Sequence, residues 1–212
     1  MDYNLAIISL CLSVPILILT QKYFLKKKYI DKVISRSSHS SIATRSGGLA
    51  IFLTIFIVSC FYYIRGFEIY DFSIIVPLSL LMIVGLYDDM YNMDFKLKFI
   101  FQIIAAKIFI DNGFIIDNLH GVLGVFEISR VTAQLLTIFI IVAIINSINF
   151  IDGIDALALS IVVLFIILFE FFSLTPSPFI FLSEILIFAS LPLFYFNLRR
   201  NKKIFLGDSG SL

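Results

Sequence analysis

An all-α fold, a polytopic membrane helix bundle, follows from three observations on this sequence. The 212-residue chain is 60% hydrophobic and only 15% charged, and its mean hydropathy is +1.03. Soluble domains run at about 45–50% apolar and about 25% charged, so a water-soluble class is excluded. Second, the apolar residues gather in runs close to the ~20 residues that a spanning helix needs. Third, the formal net charge of +1 hides a strong asymmetry, because the basic residues crowd the loops of one side. They sit in short loops between apolar runs, so no nucleic-acid footprint survives. Cys11 and Cys60 both fall inside apolar runs, which excludes a disulfide framework and leaves packing as their role. Tryptophan is absent, so Phe and Tyr must supply any aromatic belt.

Seven spans are predicted, at roughly 4–24, 47–64, 72–87, 97–111, 131–147, 156–173 and 179–198. The first is preceded by Asp2 and no basic residue, and followed by Lys22, Lys26, Lys27 and Lys28. That order reads as an uncleaved helix whose C-terminal end stays in the cytoplasm. The fourth span is interrupted by Lys98, Gln102 and Lys107. Lys98 and Gln102 share a helix face, which suits a polar face turned to the bundle interior. Lysines snorkelling from the two ends are the competing reading. Between spans four and five, residues 112–130 carry Gly113, Gly121, Gly124 and His120 and suit a small hairpin without chemistry. No repeat and no soluble domain is evident, so residues 1–212 form one membrane domain.

Alternation places the loops at about 25–46, 88–96, 148–155 and 199–210 on one face. Counting Lys22 and Lys98 at the span ends, this face holds 13 of the 16 Lys and Arg residues, leaving out only Arg65, Lys107 and Arg130. The positive-inside rule makes it cytoplasmic. Its acids are Asp31, Asp88, Asp89, Asp94, Asp152, Asp155 and Asp208, with no glutamate among them. Short carboxylates beside a membrane suit a compact divalent-cation site.

Asp88 and Asp89 close the third span near the negative end of the helix dipole, an arrangement that calls for a cation or a proton. A solvated pair at a membrane exit is the plainer reading. The fifth span runs into Asn146-Ser147-Ile148-Asn149-Phe150-Ile151-Asp152-Gly153-Ile154-Asp155. Its polar groups recur every three residues, so a helical turn aligns them, and Gly153 permits close approach of a ligand. The last segment, Phe205-Leu206-Gly207-Asp208-Ser209-Gly210-Ser211-Leu212, frames an aspartate with glycines whose N–H groups suit phosphate oxygens. Arg36, His39, Thr44, Arg45, Gly47 and Gly48 in the first loop suit phosphate contact at a helix entrance. For His39, a solvated loop histidine is an equal reading. Together these loops read as a Mg²⁺-diphosphate site.

Four segments, in order and on one face, resemble the polyprenyl-phosphate N-acetylhexosamine-1-phosphate transferases, glycosyltransferase family 4. Arg36 to Gly48 is similar to the family's basic loop, and Gly85 to Gln102 to its Asp-Asp segment, with Lys96 and Gln102 at matching offsets. Asn146 to Ala158 resembles its Asn-rich DGxDGLA segment, and Phe205 to Leu212 its Phe-x-Gly-Asp-x-Gly-Ser segment. Thr44 stands where the family usually has proline, and Ala156 where it has glycine. Asn92 replaces the lysine of the muramoyl-pentapeptide branch, and Arg45 is closer to the hexosamine branch. Members usually carry about ten or eleven spans and a later histidine-bearing cytoplasmic loop. The sequence stops inside a matched segment, so a C-terminally truncated member is expected.

The resemblance implies transfer of N-acetylhexosamine-1-phosphate from a UDP-N-acetylhexosamine to polyprenyl (undecaprenyl) phosphate with release of UMP, at the cytoplasmic face of a bacterial plasma membrane. Mg²⁺, or Mn²⁺ in its place, is the implied cofactor. Asp88 and Asp89 are the implied catalytic pair, and Asp208 with Asn149 the metal contacts. Asp152, Gly153, Asp155, Asn197, Arg45 and His39 are the implied substrate-binding set. The partners are then the two substrates and membrane lipid, with a homodimer left open. Competing readings are a phospho-muramoyl-pentapeptide transferase, an inactive remnant, an intramembrane prenyltransferase and a transporter. The prenyltransferase lacks its expected Asn-x-x-x-Asp and spaced-Asp patterns here. A transporter would hold its charges near mid-membrane rather than at one interface.

Overall fold

A computed structural model describes residues 3–30, 43–152, 154–173, 177–199 and 201–212. Helices stand at all seven expected places: α1 (Tyr3–Lys27), α2 (Gly47–Ile64), α3 (Ile75–Tyr91), α4 (Phe95–Asp111), α5 (Arg130–Ile151), α6 (Leu157–Phe172) and α7 (Ile180–Leu198). A four-residue turn of helix, α8 (Asp208–Ser211), follows. Five of these are long and apolar enough to cross a bilayer, α3 being so once the 3-10 turn Phe72–Ile74 that leads into it is included. The other two, α4 with 17 residues and α6 with 16, fall short of that length. At ~1.5 Å per residue they reach ~24–26 Å against a hydrocarbon core of ~30 Å. The chain is an all-α multi-pass membrane protein.

Two packed groups make up the bundle. Leu5 and Leu17 of α1, Ile55 and Val58 of α2, and Ile185 and Leu193 of α7 share one buried cluster. Leu81 of α3, Ala105 of α4 and Ile145 of α5 form a second, against which Leu212 packs. The short α8 touches α2, α3 and α5 and so joins the two groups. α6 leans on α7, where Ser183 donates a hydrogen bond to Glu170 (2.7 Å). Outward faces are apolar, as with Val131, Leu135 and Phe139 on α5 and Phe165 on α6, the inversion expected where the solvent is lipid. Polar residues inside the helices bond to their own backbone: Ser9 donates to Leu5 (2.8 Å), Thr54 to Ala50 (2.8 Å) and Ser59 to Ile55 (2.7 Å). This spares each hydroxyl from standing unpaired in hydrocarbon.

Beside the packed helices runs a two-residue parallel pairing, β1 (Ala43–Thr44) with β2 (Lys203–Ile204). It ties the chain before α2 to the chain after α7 across almost the whole sequence. Gln21 at the end of α1 reinforces it by donating to the carbonyl of Lys202 (2.8 Å). At the other end of the bundle, residues 112–130 form the expected hairpin. Asn118 bridges Glu127 in antiparallel fashion, and Leu119 N–H donates to Phe126 O (2.7 Å).

Candidate active site

The acid-bearing segments meet at one end of the bundle, and α3 contributes the first two. Asn92 ends this helix in a left-handed conformation, φ 55°, where asparagine is among the few residues tolerated at modest cost. Asp94 then caps α4, accepting from Lys96 N–H (3.4 Å). The chain reverses within three residues, and α4 comes back alongside α3. As a result the Lys98 ammonium stands 2.9 Å from Asp88 Oδ2 and 3.1 Å from Asp208 Oδ2. The interior reading of Lys98 and Gln102 is the one the structure bears out. Gln102 is fully buried, and Asn146 of α5 donates to its carbonyl oxygen (2.7 Å). Lys98 was not among the expected site residues. Its four-residue spacing from Gln102 was the signal that could have placed it there.

Asp208 is held from several sides. Asn149 on α5 donates to its Oδ1 and to Ser211 Oγ (2.9 Å). Asp89 accepts from the backbone N–H groups of Asp208 and Ser209, both at 2.9 Å. Asp152 caps the C-terminus of α5 and accepts from Gly207 N–H (3.1 Å). Three aspartates, Asp88, Asp89 and Asp152, thus gather around residues 207–209, with Lys98 as the cation between Asp88 and Asp208. Burial pushes the Asp152 carboxyl up to about 7. The neighbouring Asp208 and Asp89 add to this, while Gly207 N–H and Arg45 oppose it. Asp208 is raised as well, chiefly by burial and then by the adjacent Asp88, against the pull of Lys98 and Asn149. Acidic side chains, Asp88, Asp89, Asp152 and Asp208, outnumber the cations Lys98 and Arg45 beside them.

Not every expected residue lies in this cluster. Asn149 and Asp152 stand within it, but α5 ends at Ile151, so Asp155 does not continue their line. Asp155 instead pairs with Lys203 of β2, and its Oδ1 is buried without a hydrogen-bond partner among the described residues. Asn197, buried in α7, donates to Ile204 O of the same strand (3.0 Å). Asp155 and Asn197 thus flank β2 beside the acid cluster. Arg45 lies close enough to Asp152 to steady its charge. Asp31, Arg36, His39 and Gly153 lie outside the described residues. Ala156 adopts φ 57°. That left-handed conformation is the natural reason for a glycine at this position.

Fold and site together define a multi-pass membrane protein whose buried aspartates gather at one end of its helices. The particular family is shown by comparison. Residues 71–212 match the model of glycosyl transferase family 4, and the chain belongs to that family. It is also similar to the probable undecaprenyl-phosphate N-acetylglucosaminyl 1-phosphate transferase of Bacillus subtilis (strain 168), at 30% identity over 97% of this chain. The chain spans 58% of that relative's length.

Proposed function

We propose that the chain transfers N-acetylhexosamine-1-phosphate from a UDP-N-acetylhexosamine to polyprenyl phosphate, releasing UMP, at the cytoplasmic face of a bacterial plasma membrane. The observation that carries this reading is the meeting of Asp88, Lys98, Asn149, Asp152 and Asp208 from four separate segments. Its support comes from the family and from the relative, whose name specifies undecaprenyl phosphate and an N-acetylglucosaminyl 1-phosphate group. The excess of basic residues on the loops of the same end supports the cytoplasmic orientation.

The donor chemistry fits Mg²⁺. Among the described residues no three carboxylates, imidazoles or thiols converge into a closed metal cage. Magnesium uses one or two carboxylates and completes its shell with water and substrate phosphates. Asp208 is the residue to hold it, with Asn149 beside it, and the surplus of carboxylate around Asp152 and Asp208 favours an added cation. Bound there, the ion would neutralise charge on the donor's diphosphate.

The remaining work falls to the protein's own side chains. A phosphate monoester has its second pKa near ~6, so the acceptor is largely dianionic at neutral pH and needs placing more than deprotonating. Asp88 orients the lipid phosphate or takes its remaining proton. Lys98 holds Asp88 and Asp208 at a set separation and offsets the charge that an incoming phosphate adds. Asp152 and Arg45, next to the Gly207 backbone, line the donor side, with Asp155 and Asn197 bordering it at β2.

The test is an assay of the purified chain in lipid nanodiscs with UDP-N-acetylglucosamine, undecaprenyl phosphate and Mg²⁺. Lipid-dependent UMP release is the expected result. Release of inorganic diphosphate from a prenyl diphosphate would point to prenyl transfer, and substrate flux without conversion to transport.

A further inference from the structure

The two adjacent aspartates of α3 are engaged in different ways. Asp88 presents its carboxylate to Lys98 at 2.9 Å. Asp89 presents both oxygens to main chain, Oδ1 to Asp208 N–H and Oδ2 to Ser209 N–H, each at 2.9 Å. Neighbours on a helix point about 100° apart, so an Asp-Asp pair reaches two targets from one turn. The opening N–H groups of a helix have no partner within it, and a carboxylate receiving two of them forms a strong charge-assisted pair of bonds.

The same face of α3 provides room for this clamp. Gly85 lies four residues before Asp89, one turn away on the same side. A methyl group on Gly85 would stand 2.2 Å from the carbonyl oxygen of Asp208, far inside any van der Waals contact. On the opposing wall, a methyl group on Gly48 of α2 would stand 2.1 Å from Gly210 N. Gly48 N–H also donates to Leu206 O (2.7 Å). The backbone of residues 206–210 is therefore threaded between two helices at a separation that only glycine permits.

We propose that Asp89 is a positioning residue, and that Asp89, Gly85 and Gly48 form a seat that fixes the Asp208 turn. Within the reading of Asp208 as part of the binding machinery, on which this rests, the seat decides where the Asp208 carboxylate stands relative to Asp88 and Lys98. Asp89 acts through the backbone of Asp208 and touches neither phosphate.

Amide hydrogen exchange of the full chain in nanodiscs, read on peptides covering 205–212, tests the seat directly. In Asp89→Asn, the side-chain NH₂ meets one backbone N–H head-on. The amides of Asp208 and Ser209 are expected to exchange about tenfold faster or more. Gly85→Ala, which keeps the Asp89 carboxylate, should open the same peptide. Asp88→Asn should leave it as in the parent chain. Val58→Ala, in the buried part of α2 far from the turn, controls for general loosening: it should lower the thermal midpoint without singling out 205–212. In turnover, Asp89→Asn should lose kcat while both limbs of the pH–rate profile stay in place. Unchanged exchange in both Asp89→Asn and Gly85→Ala, or loss of one limb of the profile in Asp89→Asn, overturns the proposal. If the parent chain releases no UMP yet Asp89→Asn still frees the peptide, the transfer reading fails and the seat stands.

Discussion

Lys98 and Asp88 lie ten residues apart in the chain, yet the ammonium and the carboxylate meet at 2.9 Å because α3 and α4 reverse direction over three residues. The same ammonium reaches Asp208 at 3.1 Å, so one cation holds two acids from distant parts of the sequence. Removing it leaves two partly buried carboxylates facing each other without a counter-charge, which is more damaging than losing an exposed pair. Lys98→Met should reduce UMP release by about a hundredfold or more and lower the thermal midpoint in detergent. Turnover within a few-fold of the parent chain would remove Lys98 from the site.

Asp208→Asn keeps the shape of the side chain and discards its charge. Transfer is expected to fall by at least about a hundredfold with the fold retained, because Asn149 still finds an oxygen to donate to and Lys98 keeps Asp88 when it loses Asp208. A variant that turns over normally would end the assignment of Asp208 as the metal contact.

The raised Asp152 carboxyl has a consequence for stability that runs opposite to the usual carboxylate. Its pKa of about 7 in the folded chain stands above the ordinary ~4. Between those values the folded state keeps a proton that the unfolded chain releases. Its contribution is therefore complete below ~4, declines as pH rises, and is lost above about 7. In buffer with EDTA, the thermal midpoint should fall between about pH 5 and about pH 8. The fall should be smaller in Asp152→Asn, and equal falls in the two proteins would contradict the shift.

Gln102 and Asn146 bond to each other between α4 and α5, and losing one amide leaves the other without its partner. Gln102→Leu and Asn146→Leu should each cost about 1 kcal/mol. The double variant should cost less than the two together, since a matched apolar pair replaces a matched polar one. Additive losses in a double-mutant cycle would show that the pair is not coupled.

Ala156 pays for a left-handed backbone that glycine adopts freely. Ala156→Gly is expected to raise stability by up to about 1 kcal/mol with activity unchanged, since the strain relieved outweighs the flexibility gained by the unfolded chain. A lower midpoint would mean that the methyl group makes contacts worth more than the strain.

Much of this fold is legible in the sequence. Seven apolar runs became seven helices, because a chain in hydrocarbon must satisfy its backbone within each segment. The 112–130 hairpin was legible from its glycines. Asp88, Asp89, Asn149, Asp152 and Asp208 stand out in the sequence as polar groups clustering where apolar spans end. Lys98 was harder, because a lysine near a span end has two physically sound homes, the interface or the interior. Asp155 shows the limit of spacing arguments: three residues after Asp152 it was expected on the same face, but the helix ends and Lys203 claims it.

What the sequence by itself determined is the class and the span plan, since hydropathy and charge placement act residue by residue along the chain. The tertiary structure alone decided the partners: which of two adjacent aspartates meets Lys98 and which meets the backbone of Asp208, and why Gly48 and Gly85 carry no side chain. Apart from the Asp88–Lys98 pair, those relationships join residues more than a hundred positions apart, with Asp89 meeting the N–H groups of Asp208 and Ser209 at 2.9 Å. No local pattern encodes such distances, because they arise only when α2, α3 and α5 close around one short segment of chain.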